Sequence, residues 1–455
     1  MGVTTQPRAA ASASGGVLRF RGGTNGVMTG HPKVYLVFWG SQWGTQSPDN
    51  AGDLSFSNDP IRAATLLQRL FRGLGTGGEM WSGVMTQYCD EEVLNAVACL
   101  PQKPHVLYPT GGVLAGAWYD GDTAAPHTAT RAQLGGEAVR AAGHFGNTSA
   151  ALNRDAQYII LSASGQNPGG YLDSHFCSWH DWTGNPQVGA SGVYGDLAFT
   201  NLPYVMDLGG TCGGNFVNPG PAGVMDAYTL SAGFQYADML TDPFPSGGWT
   251  DDAGLEVANK CEWIPAGQPG GAVNVSTATG VFALPGIWSN NSNSGAGGCV
   301  TSEPRFALQS LTLGGDVTTK VNRPLSLQLA AAGGTPPYRW SVSGLPAGTA
   351  ATPAGLISGS PTAVGVFPVS FTVTDTEGTS VSGGLGLTVA DLVTREFVGR
   401  ATAPKPPQAL TQATSRAFAA ATAAGYSRSE CEVTDSPVER VGSQYQATVT
   451  VSCTG

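Results

Sequence analysis

The sequence predicts an α/β domain, followed by a β-sandwich and a small disulfide-stapled α+β domain. Its 455 residues exceed what one hydrophobic core usually supports. In the first two thirds, apolar runs of strand length alternate with helical patterns, and short alternating strands with Gly-Pro turns follow. We therefore divide the chain into a flexible N-terminal segment (1–29), an α/β domain (30–304), a β-sandwich (305–391), a linker (392–407) and an α+β domain (408–455).

The α/β domain is predicted from two apolar runs and from the helical patterns around them. "KVYLVFWG" (33–40) and "QYIILSAS" (157–164) have the continuous apolar character of central strands that are covered on both faces. Helices are predicted at "NDPIRAATLLQRLFRGLG" (58–75), "RAQLGGEAVRAAGHF" (131–145) and "DAYTLSAGFQYADML" (226–240). The first of these has Pro60 in its first turn, where proline favours a helix.

The β-sandwich is predicted from short alternating strands at regular spacing over about 306–390. Three stretches carry a resemblance in this region: "GGTPPYRWSVSGLPAG" (333–348), "GLISGSPTAVG" (355–365) and "FTVTDTEG" (371–378). They closely resemble the Ig-like repeat of bacterial surface and secreted proteins. The resemblance implies an Ig-like fold and a spacer or adhesion role.

The C-terminal α+β domain follows the proline-rich stretch "TAPKPPQ" (402–408). An alanine-rich helix is expected over 409–426, and two strands with alternating polar and apolar residues come after it. Cys431 and Cys453 lie on these strands. A disulfide between them would stabilise a domain of this small size.

Composition indicates an extracellular protein that does not bind nucleic acid and does not span a membrane. Only 12% of the residues are charged, and the 22 Lys and Arg residues form no basic stripe that could neutralise phosphates. No apolar run reaches the roughly eighteen residues that a membrane span needs. The start, "MGVTTQPRAAASASGG", lacks the apolar region of a signal peptide, so we interpret it as a mature terminus behind an added Met. The sequence leaves the oligomeric state open.

The cysteine pattern predicts disulfides. The eight cysteines form no CxxC pair, which disfavours a structural zinc site and favours an oxidising compartment. Joining sequence neighbours predicts the pairs Cys89–Cys99, Cys177–Cys212, Cys261–Cys299 and Cys431–Cys453.

An ordered set of short motifs gives the first domain its second resemblance. These motifs are "HFCSWHDW" (175–182), "YVMDLGGTCGGNF" (204–216), the helix at 226–240, "TDPFPSGGWTDD" (241–252) and "GLEVANKCEW" (254–263). Their order resembles that of the exordium (phosphate-induced) proteins of plants and their secreted bacterial relatives, over roughly residues 30–300. That family writes the helix as His-Glu-x-x-Glu, which implies a zincin-like metallopeptidase site.

The helix departs from this family pattern at the positions that zinc chemistry needs. Aligned on Asp242, Phe234 stands at the His, Gln235 at the catalytic Glu and Asp238 at the last acid. Phenylalanine offers no lone pair to zinc, and glutamine cannot act as a base. Zinc is therefore not expected at 234–238, and no cofactor is required by the sequence.

The residues that remain suggest several alternatives. Gln235, Asp238 and Glu256, with His180, could form a metal-free carboxylate site, or they could be ordinary polar positions that line a cleft. The residues that we expect to line this cleft are Asp207, Asp242, Trp249, Trp182 and His175. Asp251, Asp252 and Glu256 could hold calcium, although an acidic turn explains them as well.

Two functions follow from these alternatives. The first is a secreted hydrolase, most simply a peptidase, with a rebuilt carboxylate-centred site. The second is a non-catalytic extracellular protein that holds a polypeptide or a cell-surface polymer through its cleft and its Ig-like domain. Cleavage that depends on Asp238 or Glu256 would distinguish them.

Overall fold

The computed structural model describes residues 3–5, 16–23, 26–100, 103–190, 192–307, 309–311, 317–334, 337–376 and 378–455. The chain divides into two compact units. The first comprises Met1–Gln309, Ala331–Pro337 and Asp375–Thr379, and the second comprises Ser310–Ala330, Tyr338–Thr374 and Ser380–Gly455. In the described part of the chain, no helix is both long enough and apolar enough to cross a membrane.

The first unit contains short strands and helices in mixed order. Its strands are β1 (Val3–Thr5), β2 (Arg19–Phe20), β3 (Lys33–Trp39), β4 (Gln46–Pro48), β5 (Leu54–Phe56), β6 (Leu114–Asp120), β7 (Ala156–Ser162), β8 (Phe176–Trp182), β9 (Ala198–Leu202), β10 (Trp249–Thr250), β11 (Val273–Thr277), β12 (Gly280–Leu284), β13 (Ile287–Ser289) and β14 (Gly298–Val300). Its helices are α1 (Ala63–Gly73), α2 (Arg131–His144), α3 (Ala150–Asn153), α4 (Tyr171–Ser174), α5 (Asp226–Thr241) and α6 (Ser292–Gly295).

A six-stranded mixed sheet organises this unit, with the strand order β1-β8-β9-β7-β3-β6. The pairs β3–β6, β3–β7 and β7–β9 are parallel, whereas β8 runs antiparallel to β9. The two apolar runs of the sequence form β3 and β7, which are neighbours within the sheet. Both strands are buried along almost their whole length, as expected of parallel strands covered on two faces.

Each face of the sheet contributes to a separate core. Leu36 and Phe38 of β3 point into the larger core together with residues of α1 and α5. Tyr35 and Val37 point to the opposite face and pack with α2. This alternation follows from the two-residue period of a strand. It places α2 on one side of the sheet and α5 on the other.

Helix α5 is buried at every one of its 16 residues. Its start is fixed by Asp226, whose carboxylate accepts the backbone N–H groups of Val217 (2.9 Å) and Asn218 (2.7 Å). The helix contacts β8, β9 and β12. Because it has no face in water, its polar side chains must find partners inside the protein.

All four predicted disulfides are present. Cys89–Cys99, Cys177–Cys212 and Cys261–Cys299 lie in the first unit, and Cys431–Cys453 lies in the second. No cysteine is left free. The first three pairs attach loops and β8 to the larger core, where Cys89, Cys177, Cys212 and Cys261 are all buried.

The segment 1–29 was predicted to be flexible, but part of it packs into the first unit. Leu18, Phe20, Val27 and Met28 are at most 2% exposed. Strand β2 pairs with β10, and Phe20 lies beside Trp249. The apolar side chains in this otherwise Gly-rich stretch explain the difference, because they fill the edge of the larger core.

The second unit contains β16, β17, β19 to β27 and one long helix, whereas β15 (Gln309–Leu311) and β18 (Ala330–Ala332) each include residues of both units. The strands that lie wholly in the second unit are β16 (Val317–Lys320), β17 (Leu325–Gln328), β19 (Arg339–Ser343), β20 (Thr349–Ala351), β21 (Leu356–Gly359), β22 (Gly365–Thr374), β23 (Ser380–Ala390), β24 (Thr394–Ala403), β25 (Cys431–Asp435), β26 (Val438–Val441) and β27 (Gln444–Thr454), and the helix is α7 (Pro406–Ala423).

Sheets of four and three strands form the Ig-like part of this unit. Their orders are β16-β23-β22-β19 and β17-β21-β20. The elements β24, α7, β25, β26 and β27 form the C-terminal part of the chain, which we call the tail. In the tail, α7 packs on the sheet of β24 and β27 through a stripe of buried alanines at i, i+4 spacing. A side chain at Gly399 would collide with the backbone of α7, so this close approach requires glycine.

Candidate functional site

The structure brings five polar residues of the first unit together between β8 and α5. His180 lies on β8, Gln235 and Asp238 lie on α5, Asp242 follows that helix, and Glu256 lies in the loop after β10. All five are at most 1% exposed. We refer to these five residues as the His180 cluster.

Helical spacing explains how α5 contributes to the His180 cluster. Gln235, Asp238 and Asp242 are separated by three and four residues, so their side chains share one face of the helix and its C-terminal end. That face packs on β8, where the side chain of His180 points toward α5. Glu256 reaches the same place because the loop that bears it is anchored on α5: the backbone N–H of Ala258 donates to Asp238 Oδ1 at 2.7 Å.

Both ring nitrogens of His180 face oxygen acceptors. Nδ1 lies 2.9 Å from the amide oxygen Oε1 of Gln235. Nε2 lies 3.2 Å from the backbone oxygen of Asp242 and 3.3 Å from Oε1 of Glu256. Two acceptors require two N–H donors, so this geometry favours the doubly protonated imidazolium.

The pKa of His180 also favours the imidazolium. Burial lowers this pKa, but the nearby carboxylates of Glu256, Asp238 and Asp242 outweigh burial and raise it to about 9. The imidazolium of His180 and the carboxylate of Glu256 therefore form a fully buried ion pair in the centre of the cluster.

Asp238 and Asp242 differ from His180, because a raised pKa favours the neutral form of a carboxyl group. Burial raises the pKa of Asp238 well above its usual range, and the charge of Glu256 raises it further. The pKa of Asp242 is raised well above its usual range by the same two causes. Two carboxyl groups whose pKa is raised thus stand beside the ion pair of His180 and Glu256, an arrangement in which neighbouring groups can take separate acid and base roles.

Several carboxylate oxygens of the cluster lack hydrogen-bond partners. Among the residues that the structure describes, Asp238 Oδ2, both side-chain oxygens of Asp242 and both of Glu256 accept no hydrogen bond. Oε1 of Glu256 is within ion-pair distance of His180 but outside hydrogen-bond geometry. Buried polar atoms are nearly always paired, so this concentration in one place marks the cluster out from the rest of the core.

Three of the residues expected to line an open cleft do not belong to the His180 cluster. Asp207 and His175 lie in other segments of the first unit, and Trp249 is buried. Asp207 accepts hydrogen bonds from Ser164 Oγ and from the Gly165 N–H, both at 2.7 Å. Trp249 is 1% exposed and donates to the backbone oxygen of Cys89. His175 is exposed and ends α4 with a left-handed backbone (φ 57°).

Trp182 has a different place from these residues. It is half-buried at the end of β8 and stacks on Phe244, with the ring centroids 5.0 Å apart. Trp182 is one of the residues expected to line the cleft. It is close to His180 in the sequence, and its side chain is partly exposed at the surface.

The predicted calcium ligands do not converge on one ion in this structure. Asp251 faces the ammonium group of Lys260 at 2.8 Å, Asp252 faces Arg21 at 2.6 Å, and Glu256 lies beside His180. Phe234, which stands at the position of the family's zinc-binding His, packs on Trp263 in the core.

One other group has metal-ligand geometry on distance alone. Within the described ranges, the grouping of three His, Cys, Asp or Glu ligand atoms that lie within 4.8 Å of one another is Cys89, Cys99 and His105. The two sulfurs are joined as a disulfide, so they do not offer thiolates to a metal.

Sequence reasoning missed a second buried carboxyl pair. Glu137 of α2 and Asp120 at the end of β6 are 2% and 4% exposed, and Arg140 bridges them. Burial and the charge of Asp120 raise the pKa of Glu137 to about 9. The i, i+3 spacing of Glu137 and Arg140 was visible in the sequence, but the position of Asp120 depends on the strand order.

The surface of the first unit carries cavities away from the His180 cluster. One of about 460 Å³ is lined by residues around Asp49, Asp59 and Arg62, and one of about 330 Å³ by residues around Tyr108 and Arg305. A smaller cavity of about 120 Å³ adjoins Trp249 and His105. None of these three is lined by the His180 cluster.

Comparisons with known proteins match parts of the chain. No curated protein matches the chain. Matching solved structures include a "putative alpha-galactosidase" from Bacteroides fragilis, which is 20% identical over 19% of this chain and 18% of its own, with a TM-score of 0.17. Another is the extracellular cadherin domains 1–4 of protocadherin gamma B7, which is 9% identical over 40% of this chain and 56% of its own, also with a TM-score of 0.17.

The chain spans less than a fifth of the length of the first of these structures, and TM-scores this low support no argument about function. The sequence model of a family described as "Putative Ig domain" matches residues 310–390. This match covers the two sheets around Trp340 and Phe371, whose rings lie 5.7 Å apart. Residues 310–390 are an Ig-like domain.

Proposed function

We propose that this protein is a secreted hydrolase, a peptidase that works at acid pH through the His180 cluster. One observation carries the proposal: a charged histidine is fully buried among three carboxyl groups, most of whose oxygens accept no hydrogen bond from the described residues. The four disulfides and the Ig-like domain are compatible with an extracellular protein.

A purely structural role explains the cluster poorly. Each charged group that is taken out of water costs several kcal/mol unless its partners compensate for the lost hydration. An apolar core of the same volume would avoid this cost. Strongly shifted pKa values that come from both burial and specific charges are typical of groups that transfer protons.

The geometry suggests a role for each member of the cluster. The carboxylate of Glu256 would accept a proton from a water molecule while the oxygen of that water attacks the peptide carbonyl carbon. A protonated Asp238 or Asp242 would give its proton to the amide nitrogen as the C–N bond breaks. Gln235 would act as a positioning residue, because its amide oxygen holds Nδ1 of His180 and so aims Nε2 at Glu256.

Acid pH provides the protonation states that this division of labour needs, and the raised pKa values extend these states toward neutral pH. The raised pKa values keep Asp238 and Asp242 protonated well above the range in which ordinary aspartates ionise. His180 keeps its positive charge up to about pH 9 and balances the carboxylate of Glu256. The cluster is closed to solvent in this structure, so substrate must reach it through a movement of the surrounding segments.

A digestion experiment tests the proposal. Denatured casein is incubated with the protein at pH 3 to 9, and new amino termini are measured. We expect cleavage at acid pH that falls by at least about 100-fold in Glu256→Gln and in Asp238→Asn, and that persists in the presence of a metal chelator.

Two control variants separate chemistry from folding. Glu137→Gln removes an equally buried carboxyl outside the cluster, and Glu92→Gln removes an exposed one, so both should retain the cleavage activity. Equal loss in all four variants, or activity that disappears with the chelator, would count against a metal-free carboxylate site.

The second candidate is a non-catalytic extracellular protein that holds a polypeptide or a cell-surface polymer. The full burial of the His180 cluster and the presence of the Ig-like domain favour it. Retention on immobilised cell-wall polymer or denatured protein, without any cleavage from pH 3 to 9, would support this candidate and exclude the hydrolase.

A further inference from the structure

The peptide bond between Asp242 and Pro243 lies inside the His180 cluster. Both residues are buried, and the chain leaves α5 at this point. The carbonyl oxygen of this bond is the backbone oxygen of Asp242, and Nε2 of His180 lies 3.2 Å from it. A charged imidazolium that donates to a carbonyl oxygen withdraws electrons from the carbonyl carbon, and it stabilises the negative charge that forms when a nucleophile attacks that carbon.

The side chain of Asp242 supplies a nucleophile for the same carbonyl carbon. Neither of its carboxyl oxygens accepts a hydrogen bond from the described residues. When one of these oxygens attacks the backbone carbonyl carbon of its own residue, a five-membered ring closes, and well-oriented reactions within one molecule have effective concentrations on the order of 10⁵–10⁸ M. The nitrogen of Pro243 belongs to a tertiary amide, which takes up a proton more readily than an ordinary peptide nitrogen and therefore leaves more easily.

We propose that the protein cleaves its own chain at the bond between Asp242 and Pro243. A carboxyl oxygen of Asp242 bonds to the backbone carbonyl carbon of that residue, and the bond from this carbon to the nitrogen of Pro243 breaks. The carboxyl proton of Asp242 passes to the nitrogen, so the step yields a cyclic anhydride and a free proline amine. One water molecule then opens the anhydride, which leaves Asp242 as a new carboxyl terminus and Pro243 as a new amino terminus. His180 is a catalytic residue for this step, since it contacts the reacting carbonyl group.

The closure of the His180 cluster supports a substrate that belongs to the chain itself. An external polypeptide reaches His180 only after a movement of the surrounding segments, whereas the carbonyl group of Asp242 already contacts it. The turn that follows fits closely around this bond, because a side chain at Gly248 would collide with Cα and Cβ of Asp242. This inference shares the cluster with the proposed hydrolase but needs no external substrate, so each of the two can fail without the other.

A second Asp-Pro bond, between Asp59 and Pro60, provides a control within the same chain. The carboxylate of Asp59 is held by three hydrogen bonds: it accepts the N–H groups of the first two residues of α1 at 3.0 and 2.9 Å and the hydroxyl of Tyr204 at 3.0 Å. Its backbone oxygen accepts an uncharged donor, the N–H of Arg62, at 3.1 Å. The two Asp-Pro bonds have the same chemistry in the unfolded chain, so a difference between their cleavage rates comes from the folded structure.

Mass spectrometry of the full-length, unreduced protein tests the inference. The freshly purified protein is incubated at pH 4 to 8, and the fragments 1–242 and 243–455 are quantified over time. No disulfide joins these fragments, so denaturation alone separates them. We expect cleavage after Asp242 to be at least about 100-fold faster than cleavage after Asp59. In urea, the two bonds should be cleaved at similar, slow rates.

Three variants assign the roles. Asp242→Ala removes the nucleophile and should abolish cleavage at this bond, and His180→Gln removes the charged donor and should slow it by about 100-fold. Glu137→Gln lies outside the cluster and should cleave at the unsubstituted rate. If His180→Gln does not fold, the comparison of the two Asp-Pro bonds in the unsubstituted protein still decides the question.

Several outcomes would overturn the inference. These are a chain that stays intact from pH 4 to 8, equal cleavage at the two Asp-Pro bonds of the folded protein, and fragments that persist in Asp242→Ala. Cleavage of the chain without digestion of casein would support the inference and count only against the proposed hydrolase. Digestion of casein by a chain that stays intact would count only against the inference.

Discussion

The carboxyl pair of Glu137 and Asp120 leads to a prediction about stability and pH. Glu137 on α2 is 2% exposed, and one of its oxygens, Oε1, has no hydrogen-bond partner among the described residues. Burial, together with the charge of Asp120, raises its pKa to about 9, although Arg140 partly opposes this shift. We predict that the substitution Glu137→Gln stabilises the first unit at neutral and alkaline pH.

The sign follows from proton binding in the two states. In the unfolded chain Glu137 loses its proton near pH 4.5, whereas in the folded protein it keeps the proton up to about pH 9. Between these values the folded state binds one proton more, so the free energy of unfolding falls as pH rises, by about 1.4 kcal/mol per pH unit. At pH 7 the loss reaches about 3 kcal/mol as an upper value. Glutamine mimics the protonated acid and avoids this loss.

Urea unfolding at several pH values measures the effect. All tryptophans except Trp340 lie in the first unit, so tryptophan fluorescence follows that unit. The difference in unfolding free energy between Glu137→Gln and the unsubstituted protein should grow from near zero at pH 4.5 to its largest value near pH 9. The exposed substitution Glu92→Gln should show no such trend. A constant difference across this range, or a less stable Glu137→Gln protein at pH 8, would refute the reasoning.

Three further predictions concern the core of the first unit and the tail. Replacing His180 by Ala leaves the buried carboxylate of Glu256 without its cation. We therefore expect the free energy of unfolding, measured with urea at pH 6, to fall by about 3–5 kcal/mol. Because the folded pKa of His180 is raised, its stabilisation is complete below about pH 6.5 and is lost as pH rises through about 9, so the cost of His180→Ala should shrink there. Replacing Cys431 and Cys453 by Ala should destabilise the tail by about 2–4 kcal/mol, measured by hydrogen exchange of α7. Trp249→Ala should cost about 3–5 kcal/mol and lower the melting temperature of the first unit, whereas a groove residue would leave that temperature unchanged.

Parts of this architecture could be predicted because they depend on local patterns. The Ig-like domain is predicted by its turn residues and by strands in which polar and apolar residues alternate. The four disulfides join cysteines that follow one another in the sequence. The shared face of Gln235 and Asp238 follows from helical spacing alone. The structure brings these two side chains to His180 and Glu256, the other members of the predicted site.

Other features depend on long-range packing that no local pattern encodes. Whether the His180 cluster lines a cleft or lies inside the core is decided by the depth of α5 between the sheet and the β12 segment, and the structure places it inside. The proximity of Glu137 to Asp120 requires the positions of β6 and α2, which the sequence does not order. The acids Asp251 and Asp252 looked alike in sequence, but they pair with different cations.

The pattern of disulfides has a consequence for oxidative folding. Eight cysteines can combine in roughly a hundred ways, yet here each odd-numbered cysteine, counted from the amino terminus, pairs with the next one along the chain. When the cysteines are oxidised in the order in which they emerge from the amino terminus, every native partner is therefore available before any later competitor. Correct oxidation then needs a thiol oxidant but little reshuffling, so production in an oxidising compartment should depend only weakly on a disulfide isomerase.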